Sequence, residues 1–200
     1  MGYMRHRTAS FAPIATKKAR ILILGSMPGI KSLEMRQYYA HPQNAFWHVM
    51  AALFDAPVDT YALRIALIKN NHLALWDVLK CCERHGSLDI KIDDATIDVN
   101  DFAAFFNIHR RITHVFFNGT KSEKEFRKRV LPFLSQKVCG RLVLNRLPST
   151  SSAMASLTRA GKIRSWQAVT RALKESLTAV LSLHGHSGPS PGTSRGRFHA

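Results

Sequence analysis

An α/β fold, a three-layer α/β/α sandwich around a central four-stranded parallel sheet, is predicted for this 200-residue chain by three observations. Aliphatic or aromatic runs recur at residues 20–24, 72–76, 114–117 and 141–145, each run empties into a polar or glycine-containing loop, and the stretches between them carry helix-period apolar patterns. Continuous apolar runs read as strands buried on both faces, and strands alternating with helices build parallel sheets. An apolar fraction of 46% fills one sizeable core. The expected organisation is therefore a flexible basic arm at residues 1–15, one domain at 16–183, and a disordered tail at 184–200.

The first strand stops at Gly25, and Gly25-Ser26-Met27-Pro28-Gly29 forms a loop in which glycine and proline allow a close backbone approach to a ligand. Tyr38, Tyr39, Ala40, His41, Pro42, Gln43 and Asn44 follow. Phe46, Val49, Met50 and Leu53 then fall at helical spacing, which puts Asn44 at the N-cap. Tyr61, Ile65, Leu67 and Ile68 mark a second helix, completing the crossover to the second strand. That strand ends at Asp77, whose carboxylate either faces a ligand at the sheet edge or caps the next turn.

Asn100 and Asp101 open a helix with Phe102, Phe105, Phe106 and His109 as a core stripe. The third strand leads to Asn118 and Gly119. Ser122 and Glu125 have capping-box spacing for a helix bearing Lys121, Lys124, Arg127, Lys128 and Arg129, a face suited to phosphates or simply to solvent. After the fourth strand come Arg146 and Leu147-Pro148-Ser149-Thr150-Ser151-Ser152-Ala153-Met154. The closing helix starts near Ser165, with Trp166, Val169, Leu173, Leu177 and Val180 on one face, and ends before His184. Beyond it the Gly, Ser, Pro and Arg content offers too little apolar surface to offset ordering entropy.

The formal net charge of +16 predicts attraction to a polyanion, nucleic acid first. No run of about 18 apolar residues and no anchor motif is present, so no membrane partner is expected. The N-terminus has no apolar segment of signal-peptide length, which predicts a cytoplasmic protein. Cys81, Cys82 and Cys139 are too few for the usual four-thiolate iron–sulfur site and do not read as a disulfide framework. His85 stands alone in a polar loop. With no nucleophile elbow, dinucleotide fingerprint or clustered metal ligands, neither a cofactor nor a metal is expected. The four strand ends deliver amides, hydroxyls and aromatics to one edge, a pocket for a flat, hydrogen-bonding, uncharged ligand. A nucleobase fits.

The Gly25 to Gly29 loop, the Tyr39-Ala40-His41-Pro42-Gln43-Asn44-Ala45-Phe46-Trp47 block and the Leu147 to Ala153 segment together resemble the motifs of the uracil-DNA glycosylase superfamily, closest to its deoxyinosine (hypoxanthine) branch. The resemblance runs in matching order over residues 21–154. It implies a monofunctional enzyme that excises deaminated bases from DNA, works as a monomer and requires no metal. Met27 stands where relatives acting on mismatched uracil or thymine carry a water-positioning Asn, and Leu147 stands where uracil-specific relatives carry His or Asn. By the same resemblance Asn44 positions the water, Tyr39 stacks on the flipped base, and Gly25, Ser26, Met27, Pro28, Gly29, His41 and Asn118 contact the base. Pro148, Ser149, Thr150, Ser151, Ser152 and Met154 would wedge into the DNA, with Arg159, Lys162 and Arg164 on flanking phosphates. Excision of mismatched uracil and a non-catalytic nucleic-acid-binding module are the alternatives.

Overall fold

A computed structural model describes residues 7–84, 92–154 and 156–184, with side chains described to residue 178; residues 1–6, His85 and the expected tail beyond 184 lie outside the described residues. Four strands, β2 (Ile21–Gly25), β3 (Leu73–Asp77), β6 (His114–Asn118) and β7 (Val143–Leu147), form one parallel sheet in the order β3-β2-β6-β7. Each ends one or two residues later than its apolar run, β6 alone starting where its run starts, so Gly25, Asp77 and Asn118 are strand residues rather than loop residues. All of β2 and β3 is buried, as aliphatic runs covered on both faces require. The register sets Gly25 opposite Asp77 and Asn118 opposite Leu147, which brings all four carboxyl ends to one edge.

Helices cover both faces. On one, α2 (Phe46–Phe54) meets the long α7 (Arg159–His184), with the Phe46 and Trp166 rings edge to face at 5.7 Å. On the other, α4 (Phe102–Ile108) packs Phe102 and Phe105 against Trp76 at 5.0 and 4.9 Å, and Phe102 also meets Phe126 of α5 (Thr120–Arg129). The stripe Phe102, Phe105, Phe106 and His109 is buried, as its spacing predicts. The crossover from β2 to β3 also carries α1 (Ile30–Met35) and α3 (Tyr61–Asn70), the latter capped by Thr60, and the short α6 (Gln136–Cys139) precedes β7.

Four local expectations are corrected. Of the arm placed at residues 1–15, the described part is not a free arm: β1 (Arg7–Ala9) pairs antiparallel with β4 (Leu79–Glu83), and Ile14 bridges Leu75 and is buried. The outer edge of β3 offers unpaired backbone groups, and this segment satisfies them. Together with β5 (Asp98–Val99), β1 and β4 make a second, three-stranded sheet that period-two patterning in such short strands does not announce. The Ser122–Glu125 capping box is absent: α5 starts at Thr120, Ser122 Oγ donates to the Gly119 carbonyl, and Glu125 is fully buried between Lys121 and Arg129. Finally α7 begins six residues before Ser165, because Thr158 Oγ1 accepts the Gly161 N–H at 3.1 Å and caps it there.

Candidate active site

At the carboxyl edge of the parallel sheet the strand ends enclose a cavity of about 450 Å³, within the size range of small-ligand sites. Gly25, Ser26, Met27, Pro28, Gly29, Tyr39, His41, Asn44, Asn118, Ser149, Thr150, Ser151, Ser152 and Met154 all line it. Pro148, Arg159 and Lys162 do not. The wall is completed by Asp77, Tyr38, Lys121 and residues of α1, which were not assigned to a site from sequence.

Asn44 is half-buried in the turn before α2, and its Oδ1 accepts the Phe46 N–H at 3.0 Å. The formal N-cap is Ala45, one residue later than the spacing predicts, yet the amide still serves the helix start. That bond orients the side chain while leaving Oδ1 a second lone pair. Tyr39 lies at φ 52°, an uncommon conformation for a bulky residue, and its ring stacks on Phe46 at 4.0 Å with 20° between planes. Phe46 thus occupies one ring face, leaving one at most for a ligand. His41 is exposed at the rim, its Nδ1 accepting the Gln43 N–H.

Asp77, at the tip of β3, is only 3% exposed. A β-carbon on Gly25 would collide with Asp77 Oδ1 and come within 2.9 Å of the Tyr39 hydroxyl, so the bare backbone at 25 makes room for both groups. Burial, with the Asp77 charge second, pushes the Tyr38 hydroxyl far above the usual tyrosine range, and that hydroxyl donates to the carbonyls of Phe11 and Ala12.

The Asn118 amide is already engaged. Its Nδ2 donates to the Tyr39 hydroxyl at 3.0 Å and to Thr150 Oγ1 at 2.8 Å, and its Oδ1 accepts the Thr150 N–H at 2.8 Å. Both donors are spent on the protein, so base reading by Asn118 would have to use its remaining acceptor lone pair or break these bonds. Thr150 is fully buried, and its carbonyl accepts the Ala45 N–H at 2.9 Å, next to Asn44. This corrects its expected place among DNA-facing residues.

Lys162 is corrected likewise: it is 5% exposed, and its ammonium donates to the Ser151 carbonyl at 3.1 Å rather than standing out toward phosphates. The Pro148 carbonyl accepts the Trp166 indole N–H at 3.0 Å. Arg159 and Arg164 are exposed on α7, as phosphate contacts require, and Met154 is exposed at the cavity rim.

The family model described as the uracil DNA glycosylase superfamily matches residues 13–179. The chain belongs to the uracil DNA glycosylase superfamily. Within that superfamily it is 37% identical over 114 residues to a hypoxanthine DNA glycosylase of Methanosarcina barkeri, and 33% identical over 114 residues to one of Methanosarcina acetivorans; each match covers 56% of this chain and 71% of the relative. A solution NMR structure of a candidate uracil DNA glycosylase from Methanosarcina acetivorans superposes with a TM-score of 0.68 at 29% identity, covering 84% of this chain and 99% of that one. The fold and the enzyme class, a DNA glycosylase, are those of the superfamily.

For this superfamily member, sequence reasoning left Asp77 undecided and passed over the Asn118–Thr150 clamp. The signal for Asp77 was a carboxylate ending a buried strand; the clamp joins residues 32 apart and left none. Among the described residues no group of three or more His, Cys, Asp or Glu is placed to hold a metal ion, and no helix is long and apolar enough to cross a membrane.

Proposed function

We propose that this superfamily member is a monofunctional glycosylase that flips deaminated bases out of DNA, hypoxanthine first, and hydrolyses the N-glycosidic bond to leave an abasic site. The observation that carries the proposal is the meeting of Asn44, Tyr39 and buried Asp77 in one cavity at the sheet edge. The names of both Methanosarcina relatives support hypoxanthine as the preferred base. Met27, 7% exposed and apolar, offers no water-holding amide from the first loop, which leaves that task to Asn44.

Unstacking the target nucleotide costs a few kcal/mol, least for a mispaired base, so deamination itself helps the search. Tyr39 covers the flipped base with its remaining face. Hypoxanthine carries N1–H beside C6=O, whereas adenine carries a bare N1 beside an amino group. An ionised carboxylate only accepts hydrogen bonds, so Asp77 would take the N1–H of hypoxanthine and repel the N1 lone pair of adenine. Asn44 Oδ1 would accept a hydrogen bond from the attacking water. The water oxygen bonds to C1′ as the C1′–N9 bond breaks, the base leaves with the bonding electrons, and the water's proton passes to solvent. A neutral amide is a poor base, so its contribution is placement, which alone lowers barriers substantially. Backbone N–H groups of the loop after Gly25, which lines the cavity, would stabilise the departing anion.

The deciding measurement is alkali cleavage after incubation with duplexes carrying single hypoxanthine, uracil, xanthine or thymine bases against each opposing base. Hypoxanthine should be released fastest. Uracil released fastest would replace the specificity, and binding with no abasic product from any base would leave a nucleic-acid-binding module instead.

A further inference from the structure

We infer that Lys162 is a positioning residue that sets the pocket-closing loop from beneath, through the Ser151 carbonyl, and does not grip DNA; the inference rests on the glycosylase reading above. Lys162 and Trp166 are one turn apart on the buried face of α7, and each donates to a carbonyl of the same loop: Nζ to Ser151 at 3.1 Å, the indole N–H to Pro148 at 3.0 Å. Between these two anchors lies Thr150, which is locked by three bonds of its own, two to the Asn118 amide and one from the Ala45 N–H. The Ser151 carbonyl also accepts the Met154 N–H at 3.1 Å, so the same atom fixes the rim of the cavity.

A continuous set of hydrogen bonds therefore runs from α7 through the loop to the start of α2, where Asn44 is held. Placing an ammonium in a site only 5% exposed is costly, and a charge-assisted bond to a carbonyl offsets part of that cost. Burial lowers the affinity of the amine for its proton, as expected of a group shielded from water. A methionine of similar length would fill the space without holding the carbonyl. Because catalysis by placement is sensitive to shifts of about 1 Å, loosening the loop should slow excision without weakening DNA binding.

The test compares wild type, Lys162→Met and Lys162→Gln in single-turnover excision from a hypoxanthine duplex, over a range of enzyme and salt concentrations. The Met variant should lose about tenfold to a hundredfold in maximal rate. Its half-saturating concentration and the salt slope of that concentration should match wild type. The Gln variant, which keeps a donor without the charge, should recover part of the rate with the same slope. Arg159→Met, at an exposed position, serves as the comparison, since loss of a phosphate contact reduces the slope by about 0.9. A Lys162 variant that loses about 0.9 in slope while keeping its maximal rate overturns the inference, as does one that changes nothing. If the Met variant does not fold, the Gln variant alone decides by the same two readouts.

Amide hydrogen exchange at Thr150 and Met154 gives an arm independent of activity. Faster exchange there in the variants supports the positioning role, and unchanged exchange refutes it. Should wild type release no hypoxanthine, the assigned substrate fails while this arm still decides what Lys162 does.

Discussion

Gly25 has no room for a β-carbon, because Asp77 Oδ1 and the Tyr39 hydroxyl occupy that space. Gly25→Ala must push one of them aside, which should destabilise by about 1–3 kcal/mol and cut excision by more than the stability loss explains; urea unfolding and single-turnover rates measured together separate the two. Asn44 serves two masters, the Phe46 N–H and the cavity. Asn44→Ala should cost about 1 kcal/mol in stability, the worth of a helix-start contact, and about a hundredfold or more in excision. Asp77→Asn tests the base-reading role: an amide can present a donor to N1 of adenine, so discrimination against adenine should fall further than the rate on hypoxanthine, read by release from matched duplexes.

At the level of elements, α5 carries the least expected arrangement in the fold. Glu125, fully buried, is paired with Lys121 at 3.1 Å and Arg129 at 2.7 Å, and Lys121 also reaches Asp94 at 2.7 Å, tying the stretch before β5 to the helix beside the cavity. Replacing Lys121 and Arg129 together by Met strands a buried carboxylate and should cost about 3–5 kcal/mol in urea unfolding; adding Glu125→Leu should recover most of it. The contact with Asp94 makes the latch sensitive to pH. The hydrogen bond from Lys121 holds the Asp94 carboxyl below its ordinary range, so its contribution is present above about pH 3.9 and is lost as the pH falls through the depressed value. For Lys121, burial disfavours the charge, but the Asp94 and Glu125 carboxylates outweigh it and raise the pKa. Its contribution is therefore complete below about pH 10.4 and lost above the raised value. Hydrogen-exchange protection factors around residues 94–99, which divide out the pH dependence of intrinsic exchange, should fall at both ends of that window and stay flat between them.

Across the whole molecule, 29 Lys and Arg against 13 Asp and Glu favour a long polyanion. Lys124, Arg127 and Lys128 on α5 and Arg159 and Arg164 on α7 are exposed, so the cationic surface extends over several elements. Duplex affinity should fall steeply with salt, by about 0.9 in log–log slope for each phosphate contacted, as measured by fluorescence anisotropy on undamaged DNA. A flat dependence would remove the electrostatic part of the proposal.

The sequence by itself determined the sheet and most of the cavity wall, because both depend on local signals. Aliphatic runs mark strands buried on both faces, parallel pairing sends their ends to one edge, and the residues just beyond those ends face the same space. That is why the loop after Gly25, the block ending at Asn44 and the segment after Leu147 were legible as one site. Tertiary structure decided which polar groups in that site are committed elsewhere. Asn118 and Thr150 clamp each other across 32 residues, Lys162 turns inward to a carbonyl, and residues 7–9 pair with β4 while Ile14 bridges the outer edge of β3. Each outcome depends on burial and on partners distant in the chain, and a residue's type does not disclose whether its donors face water, a ligand or another loop.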